Sequence, residues 1–236
     1  DPETAARWPE LVRSFADPAP RRTGAFRLRS PVRSNITRAQ YAAAFARIQS
    51  YIRDGDCYQV NFAQRFAARA AGDAWSAYCG LRRLNPAPFA AYLSTPFATV
   101  MSSSPERLLA LRSGRVETKP IKGTRPRGAS PEADAMLVRA LSESAKDRAE
   151  NLMIVDLLRN DLGRVCRPGS VRVPELFAVE SYAAVHHLVS TVTGELAAGE
   201  DAASLLRACF PGGSITGAPK IQIGRASCRE RVYTKV

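Results

Sequence analysis

The sequence predicts an α+β fold with antiparallel sheets, and three observations carry that expectation. Strand-like runs dominate the middle of the chain, helical runs interrupt them, and no regular strand–helix–strand alternation appears that would build a doubly wound parallel sheet. With 236 residues the chain is long enough to bury a sizeable core. Its apolar fraction and its two-sign charge are those of a soluble globular protein.

Residues 1–35 are rich in proline and arginine and weakly periodic, which reads as the tail of an earlier segment and a linker, with a short helix around Trp8 to Phe15. Thr37-Arg38-Ala39-Gln40 has the form of a capping box, and Tyr41, Ala44, Phe45, Ile48 and Ile52 then share one helical face until Gly55. Tyr58 to Arg69 alternates like a strand, with Val60, Phe62 and Phe66 inward. Asp73 caps a helix through Leu84, Asn85-Pro86 breaks it, and Phe89 to Ser94 is a strand. Strands follow at Thr99 to Ser103 and at Arg107 to Leu111. Ser113-Gly114 is a hairpin turn into Arg115 to Ile121. That hairpin brings Glu106 opposite the far end of its partner, where Lys122 lies. Helices at Pro131 to Ser142 and Ser144 to Leu162, strands at Val171 to Val179 and Ala184 to Gly194, and a helix at Asp201 to Cys209 complete the pattern. The domain reading is 1–35 as the first segment, 36–222 as the main domain and 223–236 as a tail unlike the rest.

The formal charge of +12 comes mostly from arginines spread along the chain; Lys119, Lys122, Lys146, Lys220 and Lys235 are its lysines. Scattered arginines without a run or interleaved aromatics argue against a nucleic-acid surface. Five widely spaced cysteines without a C-x-x-C pair argue for reduced thiols in a cytoplasmic compartment and against structural zinc. No apolar run is long enough for a membrane span.

Four stretches could carry chemistry. In Glu117 to Gly128, Lys122 sits between apolar Ile121 and Gly123 rather than among charges, as a nucleophilic amine requires, and Thr124, Arg125 and Arg127 suit a carboxylate-rich substrate. The same loop also reads as a solvated basic turn. Asp147 and Glu150 are three apart on one helical face, fit either for a hard divalent ion such as Mg²⁺ or for a solvated edge paired with Lys146 and Arg148. Phe210 to Lys220 is glycine-rich and able to hold an anion, but Ala218 and Pro219 separate its last glycine from its lysine, which excludes a nucleotide-binding phosphate loop. His186 and His187 alternate across a strand, one toward a pocket and one away.

Several of these pieces, in order, resemble the chorismate-utilising enzyme family. They are Gly55 to Asn61, Ser104-Pro105-Glu106-Arg107, Pro120 to Gly128, Asp147 to Leu162, Val185 to Ser190 and Phe210 to Lys220. The resemblance implies an antiparallel two-sheet β-sandwich wrapped by helices, incomplete at both ends. It also implies a role for each candidate residue. The Lys122 equivalent attacks ring carbon C2 of chorismate in the lysine-bearing members, and the Glu106 equivalent protonates the departing C4 hydroxyl. Ammonia, delivered by a glutaminase subunit, then adds at C4 to give 4-amino-4-deoxychorismate, on the route to para-aminobenzoate and folate. Gly123, Thr124, His187 and Gly213 match substrate-binding positions, and Glu150 and Asp147 match ligands of Mg²⁺. Anthranilate-forming members usually carry alanine where Lys122 stands, so that activity is the alternative. After Gln222 the family pattern stops. The later magnesium carboxylates, an arginine for the side-chain carboxylate and most of the N-terminal subdomain find no match, so the chain as it stands is expected to be inactive.

Overall fold

The computed structural model describes residues 6–10, 12–13 and 25–220. Residues 6–10 and 12–13 are helical; the rest of the helix expected around Trp8 to Phe15, and the tail at 223–236, lie outside the described residues. The elements in chain order begin with strands β1 (Arg27–Leu28) and β2 (Arg33–Ser34), helix α1 (Arg38–Arg53), and strands β3 (Gln59–Val60), β4 (Phe66–Ala67) and β5 (Ala70–Ala71). Helix α2 (Ala74–Leu84) precedes strands β6 (Phe89–Ser94), β7 (Thr99–Ser104), β8 (Arg107–Arg112), β9 (Arg115–Lys119) and β10 (Ile121–Pro126). Then come α3 (Pro131–Ser142), α4 (Ala145–Gly163), β11 (Arg172–Ser181), β12 (Val185–Glu195), α5 (Ala202–Cys209), the one-turn helix α6 (Gly213–Thr216) and β13 (Gly217–Ala218).

Contacts divide the chain into two units. One is the described part of Asp1–Arg33 with Phe66–Ser104; the other is Ser34–Arg65 with the described part of Pro105–Val236. Residues 66–104 therefore group with the first segment rather than with the rest of 36–222. In that first unit β6 and β7 form an antiparallel hairpin, and Trp75, Tyr78 and Tyr92 pack ring against ring at 5.1–5.5 Å between centroids.

The second unit is built on a five-stranded antiparallel sheet whose middle strand is β12. On one side β12 pairs with β11; on the other it pairs with β10 and then β9, which run on from each other across Pro120 as one broken strand. β8 completes the sheet beside β9, through a turn whose Ser113 and Gly114 have φ of 48° and 77°. Two successive positive φ values match the right-handed twist of the arms, as the sequence predicts for this turn. β12 is buried from His186 to Gly194, apart from His187, which is half-buried. It lies under α4, and Val116, Val155, Leu162, Val192, Leu205 and Cys209 form the core between helices and sheet. Local signals start the helices as expected. Thr37 and Gln40 complete the capping box, Asp73, Ser130, Ser144 and Asp201 cap the later helices, and Gly55 follows α1 at φ 79°. Cys57, Cys79, Cys166 and Cys209 are free thiols.

One expectation is corrected. Tyr58 to Arg69 is not a continuous strand but two-residue pieces at β3 and β4, and Phe66 is exposed. β3 finds its partner in β13, far along the chain, and Phe62 packs on Tyr41 at 5.0 Å. Tertiary pairing overrode the local alternation.

A buried polar knot joins four pieces of this unit. Asn151 and Ser190 are fully buried. Ser190 Oγ donates to Asn151 Oδ1 at 2.5 Å and accepts from Phe177 N at 3.1 Å; Asn151 Nδ2 donates to Leu188 O at 3.2 Å. Ser190 N donates to Pro120 O at 3.2 Å. Cutting Asn151 back to alanine strands two buried partners, each worth about 1–3 kcal/mol. Asn151→Ala is therefore expected to lower unfolding free energy by roughly 2–5 kcal/mol in urea titrations, whereas Arg159→Ala, on the exposed face of the same helix, stays within about 0.5 kcal/mol of the parent.

Candidate active site

Pro120 ends β9 and Ile121 opens β10, and the register against β12 shifts between Ile121 and Thr124. A bulge thus falls on Lys122-Gly123, a device that re-aims a side chain out of the regular ladder. Gly123 has φ of 90°, and a Cβ there would lie 2.9 Å from both Asp147 Cβ and Leu141 Cδ1. Conformation and space both demand glycine at this point. The bulge can therefore sit tight against α3 and α4.

Lys122 is half-buried beside that glycine. Lys119 pairs with Glu180 at 2.5 Å, Lys146 with Glu150 at 3.6 Å and Lys220 with Asp161 at 2.9 Å. Lys122 is the lysine without a carboxylate partner among the described residues. Glu106, one residue ahead of β8, comes to the same place: its Oε1 accepts from Ile121 N at 3.3 Å and from Ser214 Oγ at 3.1 Å. The acid is thus tied to the residue that immediately precedes the lysine.

Thr124 and His187 are cross-strand partners, and Thr124 Oγ1 lies 2.8 Å from His187 Nδ1. The neighbouring partners are Arg125 and His186, which alternation places on the other face of the sheet. On that helix-covered face His186 is 1% exposed, between Ser181 Oγ at 2.7 Å and Asp134 Oδ1 at 2.9 Å. Burial pushes the His187 imidazole below its ordinary pKa, against the opposing pull of Glu180 and Glu106. Those two carboxylates therefore share the surroundings of His187.

The two guanidiniums that the sequence offered to a substrate are taken by the protein. Arg125 Nη2 binds Asp147 Oδ2 at 2.8 Å, and Arg127 grips both Asp134 oxygens at 2.9 Å. Packing of α3 and α4 under β10 supplies those carboxylates. Burial tends to raise the Asp147 pKa, but hydrogen bonds with Ser144 and Arg125 outweigh it and hold the group below the usual carboxylate range. Asp147 is thus a prop beneath the bulge, on the face away from Thr124 and His187. Glu150 is different: its side chain is 43% exposed and only loosely paired with Lys146. Magnesium accepts one or two carboxylates and keeps its waters, so Glu150 fits such an ion directly and Asp147 does not. No cluster of three or more His, Cys, Asp or Glu side chains placed to hold a metal occurs among the described residues.

Gly213 is buried, and a Cβ there would lie 2.0 Å from Leu157 Cδ2, so any side chain would have to displace that leucine. It places Ser214 against Glu106. Sequence reasoning did not single out Ser214, Asn61, which donates to Ser214 O at 2.9 Å, or the Lys119–Glu180–Tyr182 chain beside His187. The Asn61–Ser214 and Lys119–Glu180 contacts join residues 153 and 61 positions apart, and no local pattern signals them.

A family model described as chorismate binding enzyme matches residues 1–226. Aminodeoxychorismate synthase component 1 of Klebsiella aerogenes is 56% identical over 222 residues, 94% of this chain and 48% of that protein. Anthranilate synthase component 1 of Aquifex aeolicus is 46% identical over 190 residues, 80% of this chain and 38% of that one. The crystal structure of anthranilate synthase component I from Streptococcus pneumoniae superposes with a TM-score of 0.79 at 31% identity, covering 94% of this chain and 49% of that one. The chain spans about half the length of the relatives it matches. It belongs to the family of chorismate binding enzymes.

Proposed function

We propose that the protein to which this chain corresponds transfers an amino group to chorismate, giving 4-amino-4-deoxychorismate. The observation that carries this reading is the contrast among the lysines. Lys122 alone lacks a carboxylate partner among the described residues, and it stands in a bulge next to the peptide that binds Glu106. An amine held in an ion pair is kept protonated and has no lone pair to attack with; one without a carboxylate partner is not so held.

The chemistry balances as follows. The Lys122 amine, deprotonated, forms a bond to ring carbon C2 as the ring double bonds shift and the C4–O bond breaks. Glu106 gives its proton to the departing oxygen, which leaves as water. Ammonia bonds to C4, the double bonds shift back, and the lysine leaves C2 as a free amine. The new ammonium returns a proton to Glu106. Thr124 and the Gly123 peptide meet the ring carboxylate, with the Gly213 segment closing the same side. His187, its Nδ1 accepting from Thr124, donates from Nε2 to a substrate oxygen. A magnesium ion on Glu150, reached by Asp147 only through water, would supply positive charge for the carboxylate. Ammonia would come from a glutaminase subunit in the cytoplasm.

The site equivalent of Lys122 separates this reading from anthranilate formation, where alanine is usual. Two outcomes are expected of the full-length protein. Incubated with chorismate and Mg²⁺ without ammonia, it should gain mass by a lysine adduct that maps to Lys122 and is absent from Lys122→Ala. No adduct in that incubation, with pyruvate and anthranilate released once ammonium is added, would establish the alternative. Second, because the folded His187 value lies below the ordinary 6.5, its ring should titrate below that pH by NMR. The folded state then binds fewer protons than the unfolded one. Stability linked to His187 is accordingly full at neutral pH and declines as pH falls through 6.5 toward the folded midpoint.

A further inference from the structure

We infer that Ser214 is a positioning residue for the acid, and that Asn61 sets it in place. This rests on the reading of Glu106 as the proton donor. Two donors converge on one oxygen of that carboxyl group: Ile121 N at 3.3 Å and Ser214 Oγ at 3.1 Å both reach Oε1. Because both donors occupy Oε1, the proton that the proposed reaction needs has its place on the other oxygen, Oε2. The pair also sets the carboxyl plane. One donor belongs to the strand that presents Lys122, and the other approaches from α6. Acid and nucleophile are thus oriented from the same strand, β10.

The hydroxyl can do this because its segment is held at every side. Asn61 Nδ2 donates to Ser214 O at 2.9 Å, and Asn61 N donates to Thr216 O at 3.0 Å. β13 pairs with β3 just beyond, through Gly217 opposite Val60 and Ala218 opposite Gln59. Gly213 lies flat on Leu157. At the far end Lys220 Nζ donates to Asp161 Oδ2 at 2.9 Å and to Cys209 O at 2.8 Å, and both of those residues are buried. The serine hydroxyl is the part of this strap that meets the acid. The backbone around it would survive its removal.

The test uses a pair of equal shape in the full-length protein, with Mg²⁺ and ammonium. Ser214→Thr keeps a hydroxyl; Ser214→Val replaces it by a methyl. Ser214→Thr is expected to hold kcat within about threefold of the parent, while Ser214→Val loses roughly ten- to a hundredfold in kcat with KM for chorismate within about twofold, as a misplaced acid costs. Melting temperatures of the two variants should agree, because they occupy the same volume. Equal kcat for the two variants, or a loss confined to KM, would overturn the assignment. Glu106→Gln is measured alongside. If it is inactive while Ser214→Val works normally, only the serine's role falls. If Glu106→Gln turns over like the parent, the acid assignment falls and takes this inference with it.

Discussion

The site depends on one buried hydrogen-bond knot. Asn151 and Ser190, both without solvent, link helix α4 to β12, to the Phe177 amide of β11 and, through Ser190 N, to the Pro120 carbonyl. Every polar atom in it has its partner inside the protein, and breaking one contact leaves others stranded in a medium that cannot solvate them. The knot therefore has one satisfied arrangement. It places Pro120, and Pro120 decides where β9 stops and β10 restarts. The bulge at Lys122-Gly123 follows from that placement. Phe177 contributes strain to the same point, with φ of 61° in a residue that bears a Cβ. Such a conformation persists where surrounding contacts overdetermine it, and here its amide is held by Ser190.

Charge is distributed in a way that isolates one amine. The net charge of +12 offers many cations to an anionic ligand. Near the bulge, however, Arg125, Arg127 and Lys119 are each committed to an aspartate or glutamate. Those pairs are partly withdrawn from water, so their value lies in orientation more than in net stability. What they achieve is to neutralise the frame while leaving Lys122 without an ion-pair partner among the described residues. The two glycines beside Lys122 and Ser214 work by space in the same sense. Gly123 lets the bulge touch Asp147 and Leu141, and Gly213 lets the serine strap touch Leu157.

Much of this was legible in the sequence where the cause is local. Caps at Thr37, Asp73, Ser130, Ser144 and Asp201 fall where side-chain oxygens meet free amides within three residues, and the helices begin there. The Ser113-Gly114 turn and the split of His186 from His187 were readable for the same reason, since turn chemistry and strand alternation are short-range rules. The strand expected at Tyr58 to Arg69 failed because its real partner, β13, lies some 150 residues away, and alternation says nothing of a partner's length. The free guanidiniums expected at Arg125 and Arg127 failed likewise. Their carboxylates come from α3 and α4, and only packing reveals which acidic residue lies beneath which strand. Asp147 was legible as a carboxylate on one face with Glu150, but not as the partner of Arg125.

Register is the quantity through which folding reaches chemistry here. β12 serves two faces at once. His186 is sealed under the helices with Asp134 and Ser181, and His187 meets Thr124 on the other side. A slip of one residue would exchange the two rings, putting a buried network's histidine in the site and the site's histidine against α3. Pairing on the two flanks of β12 does not by itself prevent this, because β11 and β10 both carry register shifts. The contacts that forbid it are side-chain ones: Asn151 accepts only Ser190 and reaches only the Leu188 carbonyl. Moving β12 by one position would set a valine in place of that serine on one side, or a threonine on the other, with the alternation inverted. The asparagine that carries no chemistry itself is thus what keeps the acid, the amine and the imidazole in a single frame.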